Sequence, residues 1–401
     1  MDNQTEVKID RIVADLSKKF NNDPNHNVRI IQQYCQTLLP CERSAQVAVA
    51  LAQYAAEKFP NADACKFQRT IDKTISELEK EFNDDPNHNV KVIQDYCNNL
   101  PKNEENLKLA IALGQYAASK FPDADKIKES KAKFDKMNEE AGKLKKRIDD
   151  IQEKIKNNEL DSAIDDLRGI IQEAKMPEDT SKRLVSFSHP FEEIIFQATI
   201  KETKPIVRIS NLMEMLNIQL GTLLAETKNF DEAREALKKT LFFNPVCAIA
   251  HLELARIDIV EKKYEDAFNN LQKAYPIIFT RQMLAVYFCL LAVVVENLDK
   301  NYPLAIAYTH ISLEFAENTP AKDALERMAS EHNLSTEKPS QEAIRKLADD
   351  AYLPIGANPE ISELAIKAAR QFKSSQPEIA KELFRIAYDL TGQKSLLKEI
   401  R

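Results

Sequence analysis

A 55-residue stretch that occurs twice constrains this chain more than any other feature. The copies lie at residues 9–63 and, 62 positions later, at residues 71–125. The first contains FNNDPNHNVRIIQQYC and ALAQYAAEKFPNAD, and the second contains FNDDPNHNVKVIQDYC and ALGQYAASKFPDAD. Apolar periodicity breaks twice in each copy, which predicts three helices, at about 63–81, 86–99 and 103–120 in the second copy. We therefore predict that residues 1–124 form a duplicated three-helix unit.

The shared DPNHN segment has two interpretations. Asp followed by Pro is a typical helix start, because Asp caps the first backbone amides and Pro tolerates the first helical position. Alternatively, the polar side chains after the proline form a binding surface that is displayed once per copy. That surface would comprise Asn25, His26, Asn27, Asn87, His88 and Asn89.

Composition excludes several classes of function. The net charge of -7, with acids and bases interspersed, gives no basic surface for nucleic acid. The six glycines are never closer than 27 positions, so no phosphate-binding loop can be built. The N-terminus is polar, and the longest apolar run, residues 283–295, is too short to span a bilayer. We expect a cytoplasmic, all-α protein without membrane insertion.

Cysteine and histidine give no sign of catalysis or metal binding. The six cysteines lack CxxC pairing, which is typical of free buried thiols in a reducing compartment. A zinc site from His26 with Cys35, repeated as His88 with Cys97, would have too few ligands per copy. The six histidines occur in no catalytic motif. We expect no cofactor, no metal and no enzymatic activity.

Residues 125–175 are predicted to form a long helix and a helix that folds back. From Asp125 to Asn157 apolar residues recur at alternating three- and four-residue steps, as in a heptad seam. The partner of that seam is either the next helix, Leu160 to Lys175, or the same helix of a second chain. The second arrangement would be a homodimer through residues 127–155.

Three further segments complete the predicted organisation. Residues 176–210 are rich in β-branched residues and are predicted to be an irregular insert. Residues 317–339 are predicted to be a polar linker, and residues 340–401 to be helical capping repeats.

Residues 211–316 carry a 34-residue repeat. The first copy has Leu220, Gly221, Phe230, Ala233, Leu237, Thr240 and Pro245, and the second has Leu254, Ala255, Tyr264, Ala267, Leu271 and Ala274. A looser third copy has Ala292, Val293, Tyr302, Ala305 and Ser312. This pattern resembles the tetratricopeptide repeat (TPR) family, roughly over residues 140–315 and more weakly over residues 360–392. It departs from the family at the first-helix tryptophan, which is Asn217 in one repeat and His251 in the next.

The resemblance implies a right-handed α-solenoid of helical hairpins whose first helices line a concave groove. The positions carried over to that groove are Met215, Ile218, Thr222, Ala225, Ile249, Leu252, Arg256, Ile259, Tyr287, Leu290 and Val294. Family members that clamp acidic chaperone tails use Lys, Asn and Arg, whereas the matching positions here hold Ile218, Thr222, Glu253, Tyr287 and Leu291. That binding mode is therefore not expected.

The apolar groove predicts a protein-binding function. We expect an adaptor or scaffold that binds an apolar or amphipathic segment of one or more partner proteins. The alternative is a structural subunit of a larger assembly that self-associates through the heptad helix. The insert is a candidate plug or lid for the groove, because an exposed apolar groove is unfavourable in water. Alternatively, the insert forms another irregular helical repeat.

Overall fold

The computed structural model describes residues 12–36, 42–174 and 181–400, and these residues form an all-α protein with one small two-stranded sheet. Contacts divide the chain into two compact units, Met1–Leu144 and Lys145–Arg401. The fold class expected from the sequence, all-α, is confirmed.

The first unit begins with the two sequence copies. The helices of the first copy are α1 (residues 12–17), α2 (Pro24–Gln36) and α3 (Glu42–Lys58). The helices of the second copy are α4 (Asp63–Leu78), prolonged by a 3-10 turn (Glu79–Glu81), α5 (Pro86–Asn99) and α6 (Glu104–Lys120). The three helices predicted for the second copy are confirmed.

Each copy has its own core, and the two cores use equivalent positions. Buried Val28, Ile31, Val47 and Leu51 in the first copy correspond to buried Val90, Ile93, Leu109 and Leu113 in the second. The duplicated sequence therefore encodes the same packing twice.

Helix α7 (Asp125–Lys156) is continuous, as the heptad spacing predicted, and α8 (Leu160–Glu173) follows it. In the first unit, Ile127 packs against the core of the second copy, and residues 128–143 are all exposed. In the second unit, Ile151 is fully buried. Two ion pairs, Arg147 with Glu173 at 2.5 Å and Lys154 with Asp166 at 2.5 Å, run in opposite order along α7 and α8. They confirm an antiparallel fold-back over residues 147–154.

The predicted irregular insert contains regular structure. Strand β1 (Arg183–Val185), helix α9 (Pro190–Thr199) and strand β2 (Ile206–Arg208) form a β-α-β motif with parallel strands. Buried Val185, Phe191 and Ile195 join the main core of the second unit. The segment is therefore not another helical repeat.

Three hairpins follow the insert. They are α10 (Leu212–Glu226) with α11 (Phe230–Phe243), α12 (Ala248–Val260) with α13 (Tyr264–Ala274), and α14 (Arg281–Leu298) with α15 (Tyr302–Phe315). A 3-10 turn (Tyr275–Ile277) separates the last two hairpins. Helix α14 is long and apolar enough to cross a membrane, a property shared by core helices, and more than half of it is buried.

The predicted polar linker was wrong, because residues 317–339 contain helix α16 (Thr319–His332). The Asn318 side chain accepts a hydrogen bond from the Ala321 amide, and Pro320 occupies the first turn, so these residues start a helix. Ala321, Leu325 and Met328 then recur at helical spacing and are buried.

The C-terminal part contains α17 (Gln341–Asp350), α18 (Pro359–Phe372), α19 (Pro377–Thr391), a 3-10 turn (Lys394–Leu396) and α20 (Leu397–Ile400). The α18–α19 hairpin packs back onto earlier elements. Helix α18 contacts α9 and the 3-10 turn after α13, and Arg281 donates a hydrogen bond to the Asp389 carbonyl oxygen of α19 at 3.3 Å.

Candidate partner-binding groove

A largely apolar cavity of about 530 Å³ lies between α7, α10 and the start of α12. It is open to solvent, and two of its side chains, Met215 and Ile249, are 53% and 38% exposed. Its walls are Ile148, Gln152, Ile155, Ser188, Leu212, Met215, Leu216, Ile218, Gln219, Thr222, Leu223, Glu226 and Ile249.

Four of the groove positions predicted from the TPR pattern meet in this cavity. They are Met215, Ile218 and Thr222 on α10 and Ile249 on α12. Met215, Ile218 and Thr222 follow a three- and four-residue spacing, which places their side chains on one face of α10.

The remaining predicted groove positions do not line the cavity. Leu252, Tyr287 and Val294 are buried in the core of the second unit. Ile259 and Leu290 pack against that core as half-buried residues. Ala225 is also buried, and the half-buried Arg256 donates to Glu253 at 2.6 Å.

The chain itself closes the far end of the predicted groove. The ring of Tyr287 lies 5.3 Å from that of Tyr275, and the Tyr275 hydroxyl donates to the Gly356 carbonyl oxygen at 3.2 Å. Burial raises the pKa of both tyrosines, that of Tyr275 to about 12. Tyr287 is thus buried beside Tyr275, and of the predicted groove positions those on α10 and at the start of α12 line the open cavity.

Nine of the thirteen lining residues were not predicted as groove positions, and three of these nine, Ile148, Gln152 and Ile155, belong to α7. The sequence signal was present, because Ile148, Ile151 and Ile155 belong to the apolar periodicity of that helix. The structure divides this set, with Ile151 buried and the other two isoleucines on the cavity. The predicted seam of α7 therefore contributes both to the core and to the cavity.

The lining carries almost no charge. Its polar side chains are Gln152, Gln219, Thr222 and Ser188, and Glu226 is the one charged residue among those lining the cavity. Such a surface suits apolar groups together with neutral hydrogen-bonding groups, because its one charged side chain, Glu226, is exposed to solvent.

A buried polar cluster holds the insert against α10 beside the cavity. Glu214 of α10 accepts hydrogen bonds from the Ser186 hydroxyl at 3.0 Å and from the Asn244 side-chain amide at 2.7 Å. Glu192 of α9 accepts from the backbone amides of Ser188 at 2.8 Å and His189 at 3.1 Å.

The two carboxyl groups of this cluster have raised pKa values. Desolvation, aided by the neighbouring Glu214 carboxylate, raises the pKa of Glu192 to about 7. Desolvation also raises the pKa of Glu214. Glu192 therefore holds its proton below neutral pH and releases it as the pH rises through about 7, since two neighbouring buried carboxylates oppose each other's ionisation.

Two groups of side chains in the described residues have the spacing of metal ligands. Glu192, Glu214 and Cys247 form one, and Glu296, Glu331 and His332 form the other. In the first group, the hydroxyl, side-chain amide and backbone donors described above satisfy the carboxyl oxygens.

In the second group, Glu296 pairs with both guanidinium nitrogens of Arg327, at 2.6 and 2.8 Å. Burial opposes ionisation of Glu296, but hydrogen bonds from Arg327 and His332, together with their charges, lower its pKa overall. Both groups therefore have protein partners, and we assign a metal to neither.

The asparagines of the DPNHN segment make hydrogen bonds inside their own unit. The Asn89 side chain accepts from the Asn83 amide at 2.8 Å and donates to the Asn83 carbonyl oxygen at 2.7 Å. Asn27 makes the same pair with Asn21. These residues close the loop before α2 and α5.

The first asparagine of each segment reaches the helix that starts the next repeat. Asn87 accepts from the Asp125 amide at 2.7 Å and donates to its carboxylate at 3.1 Å. Asn25 makes the equivalent pair with Asp63. Helix α7 therefore begins at the position where a third copy would begin.

The histidines of the segment also have internal partners. The Nε2 atoms of His26 and His88 lie 3.3 and 3.1 Å from the carbonyl oxygens of Lys19 and Glu81. In α2, Cys35 is nine residues from His26, which places it on the opposite helix face, since each residue advances about 100°. The alternative of a zinc site formed by such a pair is therefore unfavourable.

We compared the chain with models of known protein families and with curated proteins. No family model matches it, and no curated protein matches it.

Proposed function

We propose that this chain is a non-enzymatic, cytoplasmic adaptor that binds an apolar or amphipathic segment of a partner protein in the cavity between α7, α10 and α12. The observation that carries the proposal is the exposed apolar lining of that cavity. A cavity of about 530 Å³ is within the range of about 300–1,000 Å³ found for ligand sites. Apolar walls of this kind are stabilised when a partner covers them.

We further propose that the hairpins of the second unit are TPR-like and stack into a right-handed α-solenoid. A shared turn supports this. Asn158, Lys228, Lys262 and Lys300 each have positive φ, from 56° to 64°, two positions before the second helix of a hairpin. In the first three of these turns, the backbone amide of the positive-φ residue donates to the carbonyl oxygen three residues earlier in the chain. The next backbone amide donates to the carbonyl oxygen five residues before it. The repeat register thus extends to the α7–α8 hairpin.

Close helix packing at Gly221 supports the same proposal. A Cβ atom at this position would lie 2.8 Å from Cγ of Leu237 and 3.3 Å from the Ala233 carbonyl oxygen. The TPR pattern has glycine in its first helix, and here that glycine lets α10 approach α11.

The bound segment is expected to be a helix with an apolar stripe and an uncharged border. Large apolar side chains of the partner would contact Ile148, Met215 and Ile249, while Gln152 and Gln219 would meet neutral polar groups. Binding would be governed by apolar burial, at roughly 25 cal/mol per Å² before the costs of association.

The test is a comparison of partners captured by the intact chain and by two variants. We expect that Ile218→Asp combined with Ile249→Asp abolishes capture of a specific protein, because two carboxylates would be buried in the interface. Val260→Asp is the matched control, since Val260 is 55% exposed on α12 and does not line the cavity. Quantitative mass spectrometry of the captured proteins measures the difference. Identical capture by all three proteins would exclude the cavity as the binding site.

Self-association is a second candidate function, favoured by one observation. Phe134 and Met137 of α7 are 57% and 58% exposed and lie within the heptad pattern. Ile151 is unavailable because its own chain buries it, so an interface would be confined to the stretch around residues 128–144.

Such an interface is short for a coiled coil, and its stability would depend on each apolar contact. We would measure mass by sedimentation equilibrium over a wide range of protein concentration. A dimer that Met137→Asp dissociates and Lys136→Asp does not would support self-association through α7. A monomer at every concentration would exclude it.

A further inference from the structure

The outer edge of β2 has unpaired backbone groups. Strand β2 pairs with β1 in the register Arg183↔Ile206 and Val185↔Arg208. The Arg183 amide donates to the Pro205 carbonyl oxygen, and the Ile209 amide donates to the Val185 carbonyl oxygen. Residues 205, 207 and 209 therefore face β1, and the backbone groups of residues 206 and 208 point away from it.

Within the described part of the chain, these outward groups of Ile206 and Arg208 have no backbone partner. The two side chains are also exposed, at 48% for Ile206 and 60% for Arg208. An edge strand of this kind can accept another extended strand.

A cavity of about 560 Å³ lies at the carboxyl end of this motif, between the insert and the α18–α19 hairpin. Arg208 and Ile209 line it where β2 ends, and Phe187 and His189 line it after β1. Apolar walls come from Ile194, Phe372 and Ile379. In parallel β-α-β structures, ligands bind outside the carboxyl ends of the strands.

The charges of the cavity are already matched. Arg208 forms an ion pair with Glu193 of α9. The backbone donors at the start of α9 are also occupied, since the Phe191 amide donates to Nδ1 of His189 at 3.0 Å and Glu192 completes a capping box. The site is therefore a poor receptor for an anion.

Neutral hydrogen-bonding groups remain. Because Nδ1 of His189 accepts a hydrogen bond, the neutral ring carries its hydrogen on Nε2. Burial lowers the pKa of His189, which keeps the ring neutral. Asn211 and Gln376 add side-chain amides to the lining. Neutral donors and acceptors beside apolar walls match a peptide backbone with an apolar side chain.

We propose that β2 accepts an extended, uncharged peptide segment of a partner protein as a third strand, with one apolar side chain of that peptide in the cavity at the end of β2. This site is distinct from the groove between α7, α10 and α12. The site at β2 would bind an extended segment through backbone hydrogen bonds, whereas the groove would bind an apolar or helical surface.

The test uses the full chain and a displayed library of random octapeptides as the probe. We expect the selected peptides to share one large apolar residue and to lack charge near it. On binding, the backbone amides of Ile206 and Arg208 should become protected from hydrogen exchange, because both would be paired with the peptide.

Two substitutions of Ile206 distinguish binding through the backbone of β2 from binding through the Ile206 side chain. Ile206→Pro removes an amide that faces away from β1, and proline is tolerated on such an edge. It should weaken binding by about tenfold or more, since a backbone hydrogen bond is lost and the ring obstructs the edge. Ile206→Thr retains the amide and a β-branched side chain and should bind like the original chain.

Three outcomes would overturn the proposal. They are a selection that enriches no peptide, peptides that bind equally well to the Ile206→Pro variant, and bound peptides that protect other amides but not those of Ile206 and Arg208. The exchange measurement needs no variant, so it decides the matter even if Ile206→Pro perturbs folding.

Discussion

Glu192 should make the stability of the second unit depend on pH. Its pKa is raised to about 7 in the folded chain, from 4.5 for an exposed carboxyl. The folded state therefore holds a proton that the unfolded state has released, and stability falls as pH rises from about 4.5 to about 7. The loss would reach about 3 kcal/mol above neutral pH, at about 1.4 kcal/mol per pH unit.

Replacing this carboxyl tests the effect. Glu192→Gln keeps an oxygen acceptor for the Ser188 and His189 amides and cannot ionise. We expect the variant to be more stable than the original chain at pH 8, by up to about 3 kcal/mol, and nearly equal at pH 5. Urea unfolding at the two pH values measures this, with Glu235→Gln as the exposed control. A parallel pH dependence for Glu192→Gln and the original chain would refute the raised pKa of Glu192.

Two glycines should respond oppositely to the same substitution. Gly221→Ala should destabilise the second unit by about 1–2 kcal/mol, because the new Cβ would meet Leu237, which is fully buried. Gly114→Ala should stabilise the first unit by about 0.5–1 kcal/mol, because nothing lies within 4 Å and alanine is the better helix former. Urea unfolding compares the two variants. Changes of the same sign would contradict the close packing at Gly221.

At the residue level, local chemistry was predictable and long-range partners were not. Asp85 caps α5 through the Asn87 amide at 2.9 Å, as the Asp-Pro pair predicted. The bonds from Asn87 to Asp125 span 38 residues, and no local pattern marks them. Short-range capping follows from the order of residues, whereas a tertiary hydrogen bond depends on how helices dock.

At the level of elements, the shared hairpin turn gives a prediction about lysine. Lys228 and Lys262 adopt φ of 64° and 61°, which strains any residue with a Cβ. Lys228→Gly and Lys262→Gly should each stabilise the chain by about 0.5–1 kcal/mol, after allowing for the greater freedom of glycine when unfolded. Thermal unfolding measures the gain. Lys239→Gly is the control inside α11, where glycine should cost about 1 kcal/mol. If both Lys228→Gly and Lys262→Gly destabilised the chain, the positive φ of these two residues would be contradicted.

The sequence predicted elements well where periodicity was regular. The long run of α7 and the helices of the second copy were predicted, because apolar residues recur at helical spacing along each of them. Helix α16 was missed, since Asn318 and Pro320 read as a linker although the same residues also start helices. The β-α-β insert was missed because strands of three residues leave almost no periodic signal.

At the level of the whole molecule, the sequence repeats determine how neighbouring helices follow one another. Contacts between distant segments determine which of the predicted groove positions remain accessible. The 34-residue pattern placed Met215, Ile218 and Ile249 on one side of neighbouring hairpins. It could not show that Tyr275 would bond to Gly356, 81 residues away, or that Tyr287 would be buried. Sequence periodicity predicts contacts between adjacent repeats. It does not predict the contacts of a segment that folds back from the C-terminal region.

The exposed stretch of α7 should be the least stable helical segment in the described chain. Residues 128–143 are all exposed, and an isolated helix of this length is marginal in water. We expect its amides to exchange fastest among the helices and trypsin to cut first between Lys131 and Lys143, because local unfolding opens a site for cleavage.

The same measurement discriminates between the two proposed functions. An adaptor whose α7 remains uncovered should show fast exchange over residues 128–143 at every protein concentration. Self-association through Phe134 and Met137 should slow this exchange as concentration rises, since each partner chain would cover the stretch. Slow exchange at every concentration would contradict the prediction, because it would require tertiary contacts that the exposed side chains of this stretch do not make.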